Sequence, residues 1–213
     1  MPRNVARLAD PPTRAGSRAS AWTASEVRRF LDHIEGERLF ALWRLAATTG
    51  MRRGELAGVT WRALDLDASR LSVEQQLVPT RGGVTFGAPK SSRSRRTIAL
   101  DPGTVDALRR HRETQLLERD FAADAYDDRD LVFADQLGQP IHPQRLTEWF
   151  RSHRVAAGIP TGSLHILRHT AVGRHAADGA GDLRAPAAKF RRTRRRARGS
   201  RAGGVRRSAR ARS

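Results

Sequence analysis

Gly50 divides the ordered part of this chain, because a helical period runs into it from one side and two arginines follow closely on the other. Leu39, Leu42, Trp43 and Ala46 recur at the three-and-four spacing of one helix face, and Gly50 stands where a left-handed cap ends such a helix. Upstream, Thr23-Ala24-Ser25-Glu26 carries a capping-box pattern, and Val27, Phe30, Leu31 and Ile34 follow on one face. Two helices are therefore predicted before the glycine. Beyond it, Gly54 to Leu64 predicts a third, with Leu56, Val59 and Leu64 turned inward and Trp61 near its end. Arg52 and Arg53 then sit where the second helix hands over to the third.

The period changes in the middle of the chain. Leu71 to Val78, Val84 to Phe86 and Arg96 to Leu100 are short runs with β-branched residues, separated by Arg81-Gly82-Gly83 and by Gly87-Ala88-Pro89-Lys90-Ser91-Ser92-Arg93-Ser94. They predict a small three-stranded antiparallel sheet. Asp101-Pro102 opens a long helix to about Arg119, and Asp127 to Asp130 form an acidic loop before the apolar run Leu131-Val132-Phe133. Leu146, Trp149, Phe150 and His153 keep helical spacing as far as Gly158-Ile159-Pro160, and His165 to about Ala177 is the last amphipathic helical segment. The fold class is α+β, mainly α. Residues 1–21, with Pro2, Pro11 and Pro12 and no apolar period, are expected to be a disordered lead-in or linker remnant, and residues 22–178 to hold the folded domain. Residues 179–213, whose larger apolar residues are Leu183, Phe190 and Val205, are expected to be a disordered Arg-rich tail.

A net charge of +18 points to a polyanionic partner, and its distribution narrows that reading. Residues 183–213 hold 13 of the 40 Lys and Arg and no Asp or Glu, which leaves 27 basic against 22 acidic side chains before them. The folded body is close to balanced. The absence of cysteine removes disulfide frameworks and thiolate metal sites and fits a reducing cytoplasm, while seven scattered histidines form no zinc pattern. The apolar runs fall far short of the roughly 20 residues needed to cross a bilayer, and residues 1–20 lack the apolar stretch of a secretory signal. A cytoplasmic protein without membrane association is expected.

Two separated stretches carry the chemistry. Thr48-Thr49-Gly50-Met51-Arg52-Arg53-Gly54-Glu55-Leu56 offers two adjacent guanidinium groups at a helix start, and Leu164-His165-Ile166-Leu167-Arg168-His169-Thr170 adds another arginine with histidines. Two arginines and a histidine gathered by a fold make a receptor for one phosphodiester: the planar forks pair with phosphate oxygens and the imidazole gives or takes a proton. Such a site would perform phosphoryl transfer on nucleic acid.

The residues also carry a resemblance. Thr49 to Leu56, with Trp61 five residues further, resembles the first arginine box of the catalytic domain of the tyrosine recombinase (phage integrase) family. Pro89-Lys90-Ser91-Ser92-Arg93-Ser94-Arg95-Arg96-Thr97 resembles the hairpin that carries the family's catalytic lysine, and Leu164 to Thr170 resembles its H-x-x-R box. The three occur in the family's order, over about Trp22 to Val172. The resemblance implies a DNA integration and recombination protein in which Arg52 and Arg168 clamp the scissile phosphate and offset the charge of a pentacoordinate transition state. Lys90 is implied to be the general acid toward the leaving 5′ oxygen and His165 to assist proton movement. Glu55 would orient a guanidinium or a neighbouring proton carrier, and His169 would support the site. Arg53, Arg93, Arg95 and Arg96 would position the DNA backbone. No cofactor, metal or small-molecule substrate is implied, and the expected partners are double-stranded DNA and full-length recombinase protomers.

The family's tyrosine nucleophile should follow the H-x-x-R box by several tens of residues, after a Leu-Gly-His-like box, and neither stands there. The sole tyrosine, Tyr126, lies among Asp124, Asp127 and Asp128, where carboxylates disfavour the phenolate. The Arg, Ala, Gly and Ser mixture of residues 179–213 reads as a shifted frame in a GC-rich gene, and otherwise as a basic arm that binds nucleic acid by counterion release. A catalytic domain partial at both ends is expected, inactive alone and marginally stable, with apolar faces of Trp149, Phe150 and Leu167 uncovered. The alternative function is non-enzymatic nucleic-acid binding through the basic tail.

Overall fold

The fold is organised around α2, whose residues from Ala41 to Ala47 are all buried. In the computed structural model, which describes residues 22–88 and 95–168, α1 (Ala24–His33) precedes it and α3 (Arg53–Ala57) follows it. The local signals near the chain start act as predicted. The Glu26 amide donates to Thr23 Oγ1 and the Thr23 amide to the Glu26 carboxylate, closing both halves of the capping box. Gly50 ends α2 at φ 61°, with its amide donating to the Ala46 carbonyl, a conformation that favours glycine because a Cβ would crowd the following carbonyl.

The third helix is much shorter than the predicted span of 54–64. It stops at Gly58 because the next residues are claimed elsewhere: Val59 accepts from the Val132 amide at 2.9 Å, and Trp61 donates to the Asp130 carbonyl at 2.9 Å. These bonds accompany a β-bridge between Thr60 and Leu131. Extended backbone at 59–60 excludes a helix there, and only a single 3-10 turn at Trp61–Ala63 follows.

The sheet also departs from expectation. There are five strands among the described residues, β1 (Leu64–Asp65), β2 (Arg70–Val73), β3 (Gln76–Thr80), β4 (Gly83–Gly87) and β5 (Arg96–Ala99). They form an antiparallel three-stranded sheet β1-β2-β5 and a separate β3-β4 hairpin. The predicted strand 71–78 is thus two strands, and 84–86 pairs within the hairpin rather than in the larger sheet. The break at Glu74-Gln75 falls where the run meets α3: Gln75 Nε2 donates to the Gly58 carbonyl at 3.0 Å. A Cβ on Gly54 would lie 2.7 Å from the Leu77 carbonyl oxygen, and one on Gly58 3.0 Å from Gln76 Cα. Two glycines one helical turn apart let α3 lie directly on β3, so β3 follows the helix and leaves the sheet of β2.

α4 (Pro102–Ala122) starts at an Asp101 cap and runs alongside α2. Arg44, only 4% exposed, donates to Asp101 Oδ1 at 2.8 Å and joins the two helices. Burial opposes the Asp101 charge, but hydrogen bonds from Thr104 and Arg44 outweigh it and hold the carboxyl below its ordinary range. α5 (Pro143–Ala156) closes the core, and a last helical turn spans 164–168. Phe150 and Leu167, expected to be uncovered, are both 1% exposed, and Trp149 is half-buried. The cover comes from the chain itself: Trp22, Phe30 and Trp43 surround Phe150 with ring centroids 5.2–6.0 Å away. Leu116, Leu117 and Phe121 on α4 remain exposed.

Phe150→Ala should cost about 3–5 kcal/mol of folding free energy, while Phe121→Ala, at a side chain 94% exposed, should stay within about 0.5 kcal/mol of the parent. Chemical denaturation midpoints of the two variants check this contrast.

Candidate active site

Glu55 is the centre of the charged cluster. It is the third residue of α3, 1% exposed, and each of its carboxylate oxygens receives two donors. Oε1 accepts from Arg52 Nη1 at 2.8 Å and Arg96 Nη1 at 3.2 Å. Oε2 accepts from the Arg52 amide at 2.8 Å and Arg96 Nη2 at 2.9 Å. Burial disfavours the charged form, and the hydrogen bonds from Arg96 and Arg52 more than offset it, so the carboxyl lies below the usual glutamate range. Glu55 is therefore an ionised anchor for two guanidinium groups.

Arg52 sits at the start of α3, where Gly50 and Met51 have just turned the chain out of α2. Its side chain is 52% exposed, so one edge is pinned to Glu55 while the rest faces outward. Arg168 comes from the distant turn at 164–168 and donates through Nη1 to the Gly50 carbonyl at 3.0 Å. That carbonyl caps the C-terminal end of α2, the negative end of its dipole. Burial pushes Arg168 below its ordinary pKa, with Arg52 and Arg96 adding to the effect and Glu55 opposing it. Three guanidinium groups thus share one electrostatic environment with one carboxylate, an excess of positive charge suited to an anion. His165, exposed, precedes Arg168 by three residues on the same turn and so on the same face.

The remaining sequence-predicted residues divide. Lys90, Arg93 and His169 lie outside the described residues. Arg95 is exposed at the start of the described stretch before β5. Arg53, expected at the DNA backbone, donates to Gln144 Oε1 at 3.1 Å and Thr147 Oγ1 at 2.8 Å, tying α3 to α5. Arg96, also expected at the backbone, is turned inward onto Glu55. Nothing local in the sequence pairs positions 55 and 96; the contact arises because β5 is the strand that joins β2. Glu55 itself is buried. Tyr126 is far from this constellation in its contacts: burial, then Asp128 and Glu118, push its phenol above the ordinary range.

The model of the phage integrase family matches residues 21–184, and the chain belongs to that family. It is 27% identical over 172 residues to a tyrosine recombinase XerC-like protein of Caldanaerobacter subterraneus subsp. tengcongensis, covering 75% of this chain and 44% of that protein. It is 33% identical over 158 residues to an integrase of Streptomyces ambofaciens, covering 70% of this chain and 39% of the relative. The chain spans less than half the length of these curated relatives. Among solved structures, the Tn1549 transposon integrase in complex with a circular intermediate DNA superposes with a TM-score of 0.64 at 20% identity, covering 78% of this chain and 56% of that one. XerA recombinase gives 0.61 at 23% identity, covering 79% and 55%. The fold is that of tyrosine recombinase catalytic domains, and the described residues fall within the matched range.

Because the folded-state pKa of Glu55 is depressed, its ionisation stabilises the fold above the ordinary glutamate range, and that contribution is lost as pH falls through the lowered value. Glu55→Gln should therefore destabilise the protein at neutral pH by about 1.5–3 kcal/mol, and the gap from the parent should narrow in acid. Denaturation midpoints measured across pH test both the size and the sign.

Proposed function

We propose that this chain binds duplex DNA and holds one phosphodiester between Arg52 and Arg168, as the phosphate-binding part of a site-specific recombinase. The observation that carries the reading is that two arginines far apart in the sequence come into one electrostatic environment, Arg52 anchored on a buried carboxylate and Arg168 on a helix-end carbonyl, each with its anchoring nitrogen already used. Anchored guanidinium groups lose little freedom on meeting a phosphate, and they offset charge that grows on the equatorial oxygens as a fifth ligand approaches phosphorus. Family membership supports this chemistry, as does the name of the integrase relative.

In the transesterification implied for the family, a tyrosine oxygen bonds to phosphorus as the bond to the 5′ oxygen breaks. The phenolic proton leaves and a proton reaches the departing oxygen. His165 is suited by its place beside Arg168 to assist proton movement at the phosphate, and Lys90 is proposed as the acid for the leaving oxygen. Tyr126 is a poor nucleophile, since burial and its acidic neighbours favour the protonated phenol. These 213 residues are therefore proposed to grip DNA without forming the covalent intermediate unaided, a tyrosine from a full-length recombinase protomer completing the site.

Titration of a labelled DNA duplex with the full chain tests the grip. Arg52→Ala and Arg168→Ala should each weaken binding by about tenfold and lower the salt slope by about one, the signature of a lost phosphate contact. A nicked suicide duplex should yield no covalent adduct. Parent-like binding by both variants, with all affinity lost on removing residues 183–213, would assign DNA binding to the basic segment instead, and an adduct would contradict the missing nucleophile.

A further inference from the structure

We propose that Arg96 is a positioning residue for the phosphate grip: its two-pronged contact fixes Glu55, and Glu55 in turn fixes the Arg52 guanidinium toward the scissile phosphate. The inference rests on the proposed function and adds a residue whose expected place was on the DNA backbone.

The geometry is that of a fork on a fork. Arg96 Nη1 and Nη2 reach different oxygens of Glu55, at 3.2 and 2.9 Å. Arg52 contributes its amide and only one side-chain nitrogen to the same carboxylate. Arg96, with the Arg52 amide, thus holds the plane of the carboxylate, and the carboxylate plane sets where the Arg52 guanidinium lies. Exposure agrees with that division: the Arg96 side chain is 30% exposed, Arg52 52% and Glu55 1%. Among the described residues, Arg52, Arg96 and Arg168 are the charged groups that act at this carboxylate, from the start of α3, from β5 and from the last helical turn.

Chemistry distinguishes this role from a simple positive charge. If Arg96 only raised the local potential, lysine would serve as well. A lysine ammonium is a point charge that cannot span both oxygens of a carboxylate in one plane. Without the fork, Arg52 is left as the one guanidinium bonded to Glu55 and is drawn further inward, at the expense of the phosphate. Arg96 also opens β5, so the same contact registers that strand against the start of α3, where Arg52 stands.

The test is the affinity of the full chain for a labelled DNA duplex, measured across salt concentration for Arg96→Lys, Arg96→Gln, Glu55→Gln, Arg52→Ala and the Glu55→Gln/Arg96→Gln pair. Arg96→Lys and Arg96→Gln should each weaken binding by about 3–10-fold with the salt slope unchanged. Arg96→Gln should add nothing in the Glu55→Gln background, because its effect passes through that carboxylate. Parent-like binding by Arg96→Lys, a slope lowered by about one in either Arg96 variant, or an equal Arg96→Gln loss in both backgrounds overturns the positioning role. If Arg52→Ala itself binds like the parent, the phosphate grip fails and the positioning role with it; if Arg52→Ala is weakened while Arg96→Lys is not, only the positioning role fails.

Discussion

A carboxylate that is almost fully buried must be neutralised where it stands, and the way Glu55 is neutralised organises this domain. Isolated in the core, such a charge would be protonated or excluded. Here it collects donors from two elements, the chain entering α3 and the strand β5. The desolvation that Glu55 suffers is offset only while both arginines remain in place. The carboxylate therefore acts as a fastener between helix and strand, and its partners are held in fixed orientations as a consequence.

The surrounding fold makes that fastening possible. Gly54 and Gly58 let α3 settle on the backbone of β3, which sets the depth of Glu55. Gly50 turns the chain through a left-handed cap, so that its carbonyl faces Arg168 and Arg52, two residues further, meets Glu55. The aromatic cluster of Trp22, Phe30, Trp43 and Phe150 packs α1, α2 and α5 together beneath this corner. Arg53 adds a strut from α3 to α5. Arg52 and Arg168 are thus held by Glu55 and by the Gly50 carbonyl in positions determined by packing, and side chains fixed beforehand lower the entropy cost of holding a ligand.

Signals contained in a few adjacent residues were legible in the sequence. The Thr23 and Glu26 capping box, the Gly50 cap and the Asp101-Pro102 helix start are local devices, and each stands where its spacing indicated. Errors arose where a distant segment decided the outcome. The span 54–64 has helical spacing, yet Val59 and Thr60 pair with Leu131 and Val132. The run 71–78 reads as one strand until α3 is laid across it. The motif residues at 52 and 168 could be named because they lie in short recognisable boxes; Arg96 lay in such a box too, but its inward direction onto Glu55 depended on strand order. Phe150 was expected to be uncovered by the loss of final helices, yet Trp22, Phe30 and Trp43, none of them near it in sequence, pack against it.

The central claim is that Arg52 and Arg168, anchored by Glu55 and Gly50, close on the same DNA phosphate. Arginine side-chain NMR of the full chain during addition of a short duplex tests it most directly. The account predicts that the Nε–Hε resonances of Arg52 and Arg168 shift together and saturate at one stoichiometry, with both shifts lost when either residue is replaced. Independent shifts at the two residues, or shifts confined to the arginines of residues 183–213, would contradict it.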